Sequence, residues 1–436
     1  MKVKKFGGTS VGSAERIKNV GTLISGDGQN IVVLSAMSGT TNSLIEISNA
    51  LKDGDKNLAL KRVEELHDKY KGVIADLYSS EEFKEKATEK IDGIFDQLKA
   101  LSEKNFDISV EKEIVAKGEM MSTNLMNYHL HETGVNSVLL SALDFMKIDK
   151  HGEPDMNFIR ENVKKAISEN PVADLYITQG FICCNEEGGI DNLERGGSDY
   201  TASLIGAALK ADEIEIWTDI DGMHNNDPRF VEDTRPVHNL HFEEAAELAY
   251  FGAKILHPTC ILPARESNVP VRLLNTMDPS AEGTLIENHL ERNSIKAVAA
   301  KDNITAIKIK SGRMLLAYGF LKKVFEIFER YETSIDMITT SEVGVSLTID
   351  NEKNLPLIEK ELGKLGTVTI DRDMVIICVV GDLEWTNKGF EAAALEALRN
   401  VPVRMISYGG SNYNISFLIN KEDKTRALRL LSYHLF

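Results

Sequence analysis

The sequence predicts an α/β domain with a largely parallel sheet, followed by two smaller α+β units. Three observations carry this. Up to about residue 290, short apolar strands alternate with helical stretches, the pattern of parallel strands joined by crossover helices. Beyond about residue 295 the pattern shortens and becomes strictly alternating, at Val343, Val345, Leu347 and Ile349 and again at Ile415, Phe417 and Ile419, as half-buried strands require. Finally, "IDMITTSEVGVSLTI" is echoed by "VRMISYGGSNYNISFLI", with Met337 against Met405 and Ser346 against Ser416, a repeat of about 70 residues.

Buried strands are expected at Val3–Phe6, Ile31–Ala36, Val138–Leu140, Leu175–Thr178, Ile214–Trp217 and Val271–Leu274. Residues 57–103 differ. They are rich in Glu and Lys, with Leu58, Leu60, Val63 and Leu66 at helical spacing, and read as a helical excursion from the sheet domain; a solvated hairpin without chemistry accounts for them. Each copy of the C-terminal repeat fits a strand–helix–strand–strand–helix–strand frame. Tandem units of this kind behind an enzyme bind a regulatory ligand or a second subunit.

A chain of 436 residues suggests two or three domains. A formal net charge of −17 argues against a general nucleic-acid or acidic-membrane binder, while leaving room for an anionic small substrate at a local basic cluster. Cys183, Cys184, Cys260 and Cys378 form no CxxC pair and read as small buried hydrophobes in a reducing compartment. No apolar signal region follows "MKVKKF", and the longest apolar runs, such as Met374–Val380, are only strand-length. A cytoplasmic protein is the expectation.

Five segments carry candidate chemistry. In "KFGGTSVGS" Lys5 ends the first strand, Gly7 and Gly8 allow close backbone approach, and Thr9 and Ser10 are placed to cap the next helix. A Gly-rich turn before a helix makes an anion site, although a plain tight turn reads the same. In "LERGGSDYTASLIGAALKAD" Arg195 offers a planar fork for a carboxylate, and Ser198 or Asp199 caps an apolar helix after Gly196 and Gly197. "IWTDIDGMHNNDPR" puts Thr218 and Asp219 at a strand end, where open α/β sheets bind ligands, with Arg229 ten residues on. "FGAKILHP" carries Lys254, and "KGEMMSTNL" puts Glu119 in an apolar helix, where a buried carboxylate needs a partner. Neither His238 and His241 nor His129 and His131 has the companions of a metal site.

Together, "KFGGTSV", "SAMSGTTN", "KGEMMS", "RGGSDYTA", "WTDIDG" with "DPR", "FGAKILHP" and "MITTSEVGVSLT" resemble the aspartokinase family in order and spacing, from residue 4 to 420. The resemblance implies an amino-acid kinase fold over residues 1–290 and paired ferredoxin-like ACT domains, one inserted in the other: residues 311–373, and residues 295–310 with 374–436. It implies transfer of the γ-phosphoryl of ATP, with Mg2+ carried mainly by the nucleotide, to the β-carboxylate of L-aspartate. On this resemblance Lys5 neutralises the transferred phosphoryl and Asp199 orients that lysine. Lys254 and Arg229 hold nucleotide phosphates, with Gly7, Gly8, Thr9, Ser10, Thr218 and Asp219 around the nucleotide. Glu119 pairs with the aspartate ammonium, Arg195 with a carboxylate, and Thr41 and Ser198 bond the substrate beside Gly196 and Gly197. His224 departs from the tyrosine common at that position, which leaves its nucleotide contact open.

In the C-terminal half "MLLAYGFLKKVF" and "SIDMITTSE" resemble the monofunctional, lysine-sensitive members. Met314, Phe320, Leu321, Ser334, Ile335, Asp336, Thr340, Ser341 and Glu342 are the positions carried over, with threonine as the alternative effector and a homo-oligomer joined through the ACT domains. Two rivals remain: a kinase for glutamate or acetylglutamate, of which the pair Glu119 and Arg195 suits the N-acylated substrate badly because Glu119 would lose its ammonium partner, and a catalytically silent amino-acid sensor, against which Lys5, Asp199 and Lys254 speak together.

Overall fold

In a computed structural model the chain folds as two compact units, residues 1–222 with 256–288 and residues 223–255 with 289–436. The structure describes residues 1–26, 28–170, 172–193, 196–252, 256–312 and 318–436. Residues 223–252, assigned from sequence to the first domain, instead pack in the C-terminal unit. The Val298 N–H donates to the Asn225 carbonyl, Asn226 Nδ2 donates to the Leu428 carbonyl, and Val231 and Phe230 bury their apolar surface in that unit's core.

In chain order the first strands are β1 (Val3–Phe6), β2 (Asn30–Leu34), β3 (Ser137–Leu140), β4 (Leu175–Gln179), β5 (Ile182–Cys184), β6 (Ile190–Asn192) and β7 (Ile214–Thr218). They are followed by β8 (Asn239–His241, in the C-terminal unit), β9 (Val271–Asn275) and β10 (Thr284–Glu287). In the N-terminal unit β3, β4, β2, β1, β7 and β9 lie side by side and parallel, with β10 antiparallel on β9. Residues of β1, β2 and β4 are buried without alternation, because helices cover both faces. All six expected strands are present to within two residues at their ends.

Residues 57–103 form most of two long helices, Lys56–Leu77 and Glu81–Glu103. They are no detached excursion. Val63, Leu66, Tyr70, Phe95 and Leu98 share one core with Phe6, Val32 and Leu34 of the sheet. Their apolar spacing buries one face of each helix while most of the Glu and Lys residues stay in solvent. Tyr70 also reaches the Thr40 hydroxyl, at 3.1 Å, and Lys69 Nζ donates to the Ser38 carbonyl at 2.8 Å.

The C-terminal unit holds β11 (Ile295–Lys310), β12 (Ile338–Ser341), β13 (Gly344–Ile349), β14 (Thr367–Gly381), β15 (Val403–Tyr408) and β16 (Asn414–Asn420). They form a single six-stranded antiparallel sheet in the order β12-β13-β11-β14-β16-β15. The repeat is visible here: the hairpins β12–β13 and β15–β16 flank the two long central strands. Helices Phe320–Arg330 and Leu355–Leu362 pack on Val345, Leu347 and Ile349, and helix Lys424–Leu435 packs on Ile415, Phe417 and Ile419. Val343 begins the alternation in the sequence but lies in the hairpin turn and is exposed.

One boundary moves. Residues 295–310 do not go as a block to the second α+β unit. Thr305–Lys310 pair with β13, in the first, while Ile295–Lys301 pair with Ile376–Gly381, in the second. Two register shifts against β14, between Lys301 and Ile304 and between Ile304 and Ala306, divide the two halves of the strand.

Candidate active site

Strand register alone brings the candidate loops together. Phe6 pairs with Leu34 and with Trp217, and Leu34 pairs with Gln179. The segments after these parallel strands therefore leave the same carboxyl edge of the sheet, the usual ligand edge of open α/β sheets. Backbone bonds continue the alignment: the Gly7 N–H donates to the Trp217 carbonyl, the Ser35 N–H to Phe6, and the Gly180 N–H to Leu34. The glycine turn lies so close to the β2 loop that a Cβ on Gly8 would stand 2.7 Å from the Ala36 carbonyl oxygen.

At this edge Lys5 Nζ lies 2.6 Å from Asp199 Oδ1. Lys5 is buried, so the ion pair fixes the ammonium where it can meet an incoming anion. Asp199 stands in the first turn of helix Gly197–Leu209, whose positive end adds to the field. Beside it, the Ser35 hydroxyl donates to Ser198 Oγ at 3.0 Å. The Ala36 N–H donates to Glu119 Oε1 at 3.1 Å, and Ser122 Oγ donates to the Ser35 carbonyl at 2.8 Å. The chain of neighbours thus runs from Lys5 through Asp199, Ser198 and Ser35 to Ala36 and Glu119.

Glu119 sits within helix Ile108–Glu132 and is buried. Its Oε2 has no hydrogen-bond partner among the described residues. Burial pushes its carboxyl up to about 7, against the bond from Ala36, which favours the charged form. Such a group is primed for a cationic partner, and no ion pair to it is present among the described residues.

The helix caps differ from expectation. Ser13 Oγ, not Thr9 or Ser10, caps helix Ala14–Ile24. Ser10 is buried against the Thr276 hydroxyl, 2.7 Å away, and the Thr9 carbonyl accepts from Arg16. Gly196, in a left-handed conformation, is the N-cap of the next site helix, and Ser198 and Asp199 lie inside its first turn. Their side chains are therefore left for the site instead of being used as caps.

Thr41 lies in the first turn of helix Thr40–Lys52. Thr218 donates to Asp219 Oδ1 at 3.2 Å, at the exposed end of β7. In the C-terminal unit His224 Nδ1 meets the Thr234 hydroxyl at 2.9 Å, and Arg229 is exposed and doubly bonded to Asp227. Arg195, Lys254 and Met314 lie outside the described residues. Sequence reasoning missed Ser35, Ala36 and Ser122 as site-building groups. Ser35 and Ala36 stood within the quoted "SAMSGTTN", but a backbone N–H leaves no mark on residue identity.

The regulatory candidates lie in the first α+β unit. Phe320 starts the helix after Gly319 and is buried in the core, while Leu321 is exposed. Ile335 packs on the same core, Ser334 is exposed, and Thr340, Ser341 and Glu342 line the exposed β12–β13 turn. Asp336 is another of the positions carried over. Its buried side chain is already engaged, with Lys301 Nζ at 2.7 Å and the Tyr250 hydroxyl at 2.8 Å.

The amino acid kinase family model matches residues 1–275, and an ACT domain model matches residues 377–435. The chain is 33% identical to the lysine-sensitive aspartokinase 3 of Escherichia coli, over 100% of this chain and 99% of that one. It is 35% identical to the chloroplastic aspartokinase 2 of Arabidopsis thaliana, over 98% of this chain and 83% of the relative. A crystal structure of E. coli aspartokinase III in complex with aspartate and ADP matches with a TM-score of 0.84 at 32% identity, each chain covered in full.

Proposed function

The chain belongs to the aspartokinase family, and we propose from its geometry how it phosphorylates L-aspartate with ATP. The observation that carries the reading is the ion pair of buried Lys5 with Asp199, linked through Ser198, Ser35 and Ala36 to a buried Glu119 with one unpartnered oxygen among the described residues.

The nucleophile is the β-carboxylate of aspartate, with a reference pKa of about 3.9, so it arrives ionised and needs no general base. Its oxygen bonds to the γ-phosphorus as the bond from that phosphorus to the bridging β,γ-oxygen breaks. ADP and an acyl phosphate result, and no proton moves. The difficulty is repulsion between two anions. Lys5 supplies positive charge at the transferring group, and Asp199 holds the lysine in place. Glu119 receives the substrate ammonium, Arg195 a carboxylate, and Thr41 and Ser198 its remaining polar atoms. Gly7, Gly8, Thr9, Ser10, Thr218, Asp219, His224, Arg229 and Lys254 are assigned to the nucleotide. Magnesium, carried by the nucleotide phosphates, is part of the same proposal.

Trapping with hydroxylamine tests this. L-Aspartate should give a hydroxamate in the presence of ATP, while glutamate and N-acetylglutamate give none. Hydroxamate from glutamate or acetylglutamate but not from aspartate would sink the reading.

The ACT units are assigned to feedback control by lysine, supported by the name of the E. coli relative. A homo-oligomer joined through these units is part of the same proposal, because β12 and β15 are the edges of the six-stranded sheet and an open edge invites pairing. Sedimentation is expected to give a dimer or larger species; a monomer with and without lysine would contradict it. Among the described residues no helix is long and apolar enough to cross a membrane.

A further inference from the structure

In the C-terminal unit an ammonium group from within the chain already occupies an amine-binding cage. Lys301 Nζ lies 2.7 Å from Asp336 Oδ1 and 2.9 Å from Asp350 Oδ2. It also stands 4.3 Å from the centre of the Tyr250 ring. Two carboxylates and an aromatic face are the recognition chemistry of a primary ammonium ion. The Asp336 side chain is only 1% exposed, and its Oδ2 has no hydrogen-bond partner among the described residues.

The cage is tied to a second segment. The Tyr250 hydroxyl donates to the same Asp336 oxygen that Lys301 uses, at 2.8 Å. Tyr250 closes helix Phe242–Tyr250, and Gly252 follows at φ +119°. Gly252 lies so near β11 that a Cβ there would run into the carbonyl of Ala300, the residue before Lys301. The 250–252 turn is therefore held at two points, by Asp336 and by the backbone of β11. Lys254, assigned above to the nucleotide phosphates, comes two residues later in the sequence.

We propose that Lys301 is an internal competitor for the effector's ammonium group. Its displacement by an effector amine frees Tyr250 and the 250–252 turn, and so carries the inhibitory signal toward the Lys254 segment. This rests on the reading of lysine as effector. A ligand shifts an equilibrium only by its differential affinity for the two states. Here Asp336 holds Lys301 and Tyr250 in the active state and the ligand in the inhibited state. Anything that weakens the internal contacts therefore favours the inhibited state.

The test uses the full chain. Lys301→Met keeps the stem and removes the competing charge. It should lower the lysine concentration for half-inhibition, and the Kd for lysine measured by calorimetry, by about tenfold, within the usual range of allosteric coupling. Because Lys301→Met leaves two acids unpaired and can fail to fold, Tyr250→Phe is made alongside it. That variant loses one hydroxyl and should move the half-inhibition point in the same direction. If lysine inhibits the parent but both variants keep or raise its half-inhibition concentration, the internal competitor is ruled out. If lysine neither binds nor inhibits the parent, the effector reading falls and this inference falls with it.

Discussion

Replacing Lys5 with alanine is expected to lower kcat by about two to three orders of magnitude while the protein stays folded. The lysine lies near the end of β1, is buried, and is held 2.6 Å from Asp199. Its charge is therefore positioned before substrate arrives, and little reorganisation remains for the moment of transfer. A preorganised donor of this kind is worth about 3–4 kcal/mol of transition-state stabilisation. Because the group acts on the transferring phosphoryl, kcat should fall far more than either KM rises. Initial rates of hydroxamate formation, with circular dichroism to confirm folding, make the measurement. Turnover within a few fold of the parent would remove Lys5 from the reaction.

Glu119→Gln should act in opposite directions on activity and on stability. The Glu119 carboxyl rises from an ordinary 4.5 to about 7 because it is buried. The folded state thus holds the proton more tightly than the unfolded chain. Its contribution to stability is fully present below pH 4.5 and is lost as pH rises through about 7. Above pH 7 the buried charge costs on the order of 3 kcal/mol. Glutamine avoids that cost, so the variant should melt higher than the parent at pH 8, with the difference closing toward pH 4.5. Function runs the other way. The substrate ammonium needs the ionised form, so kcat/KM for aspartate in the parent should fall about tenfold per pH unit below pH 7. In Glu119→Gln that pH dependence should vanish, with KM for aspartate raised by about a hundredfold, the loss of a buried charge-assisted bond. A variant that is less stable at pH 8, or a parent with flat kcat/KM between about pH 5.5 and 7, would overturn the assignment.

Much of this was legible in the sequence because it depended on period and composition. The apolar runs of β1, β2, β4 and β7 announce strands buried on both faces, and the alternation at Val345, Leu347 and Ile349 announces a strand with one dry face. Lys5 and Asp199 stood out as polar residues beside glycine turns, but their 2.6 Å contact did not, since 194 positions separate them and only strand order brings them together. The caps were misread because Ser and Thr look alike at any helix start, and Ser13 rather than Ser10 had the right phase. The engagement of Asp336 by Lys301 and Tyr250 was equally hidden. Nothing local in "SIDMITTSE" says that strand β11 will deliver a lysine from 35 residues upstream.

The divided strand β11 also sets a timetable for synthesis. Residues 305–310 can pair once β13 has been made, but Ile295–Lys301 must wait for Ile376–Gly381. At roughly 5–20 residues per second that wait lasts roughly 4–15 s, during which a length of apolar strand edge has no permanent neighbour on that side. The nascent chain meets its greatest risk of a wrong partner in this interval. Slowing translation just before residue 374 would prolong that exposure, whereas a pause after residue 381 would give the sheet time to close.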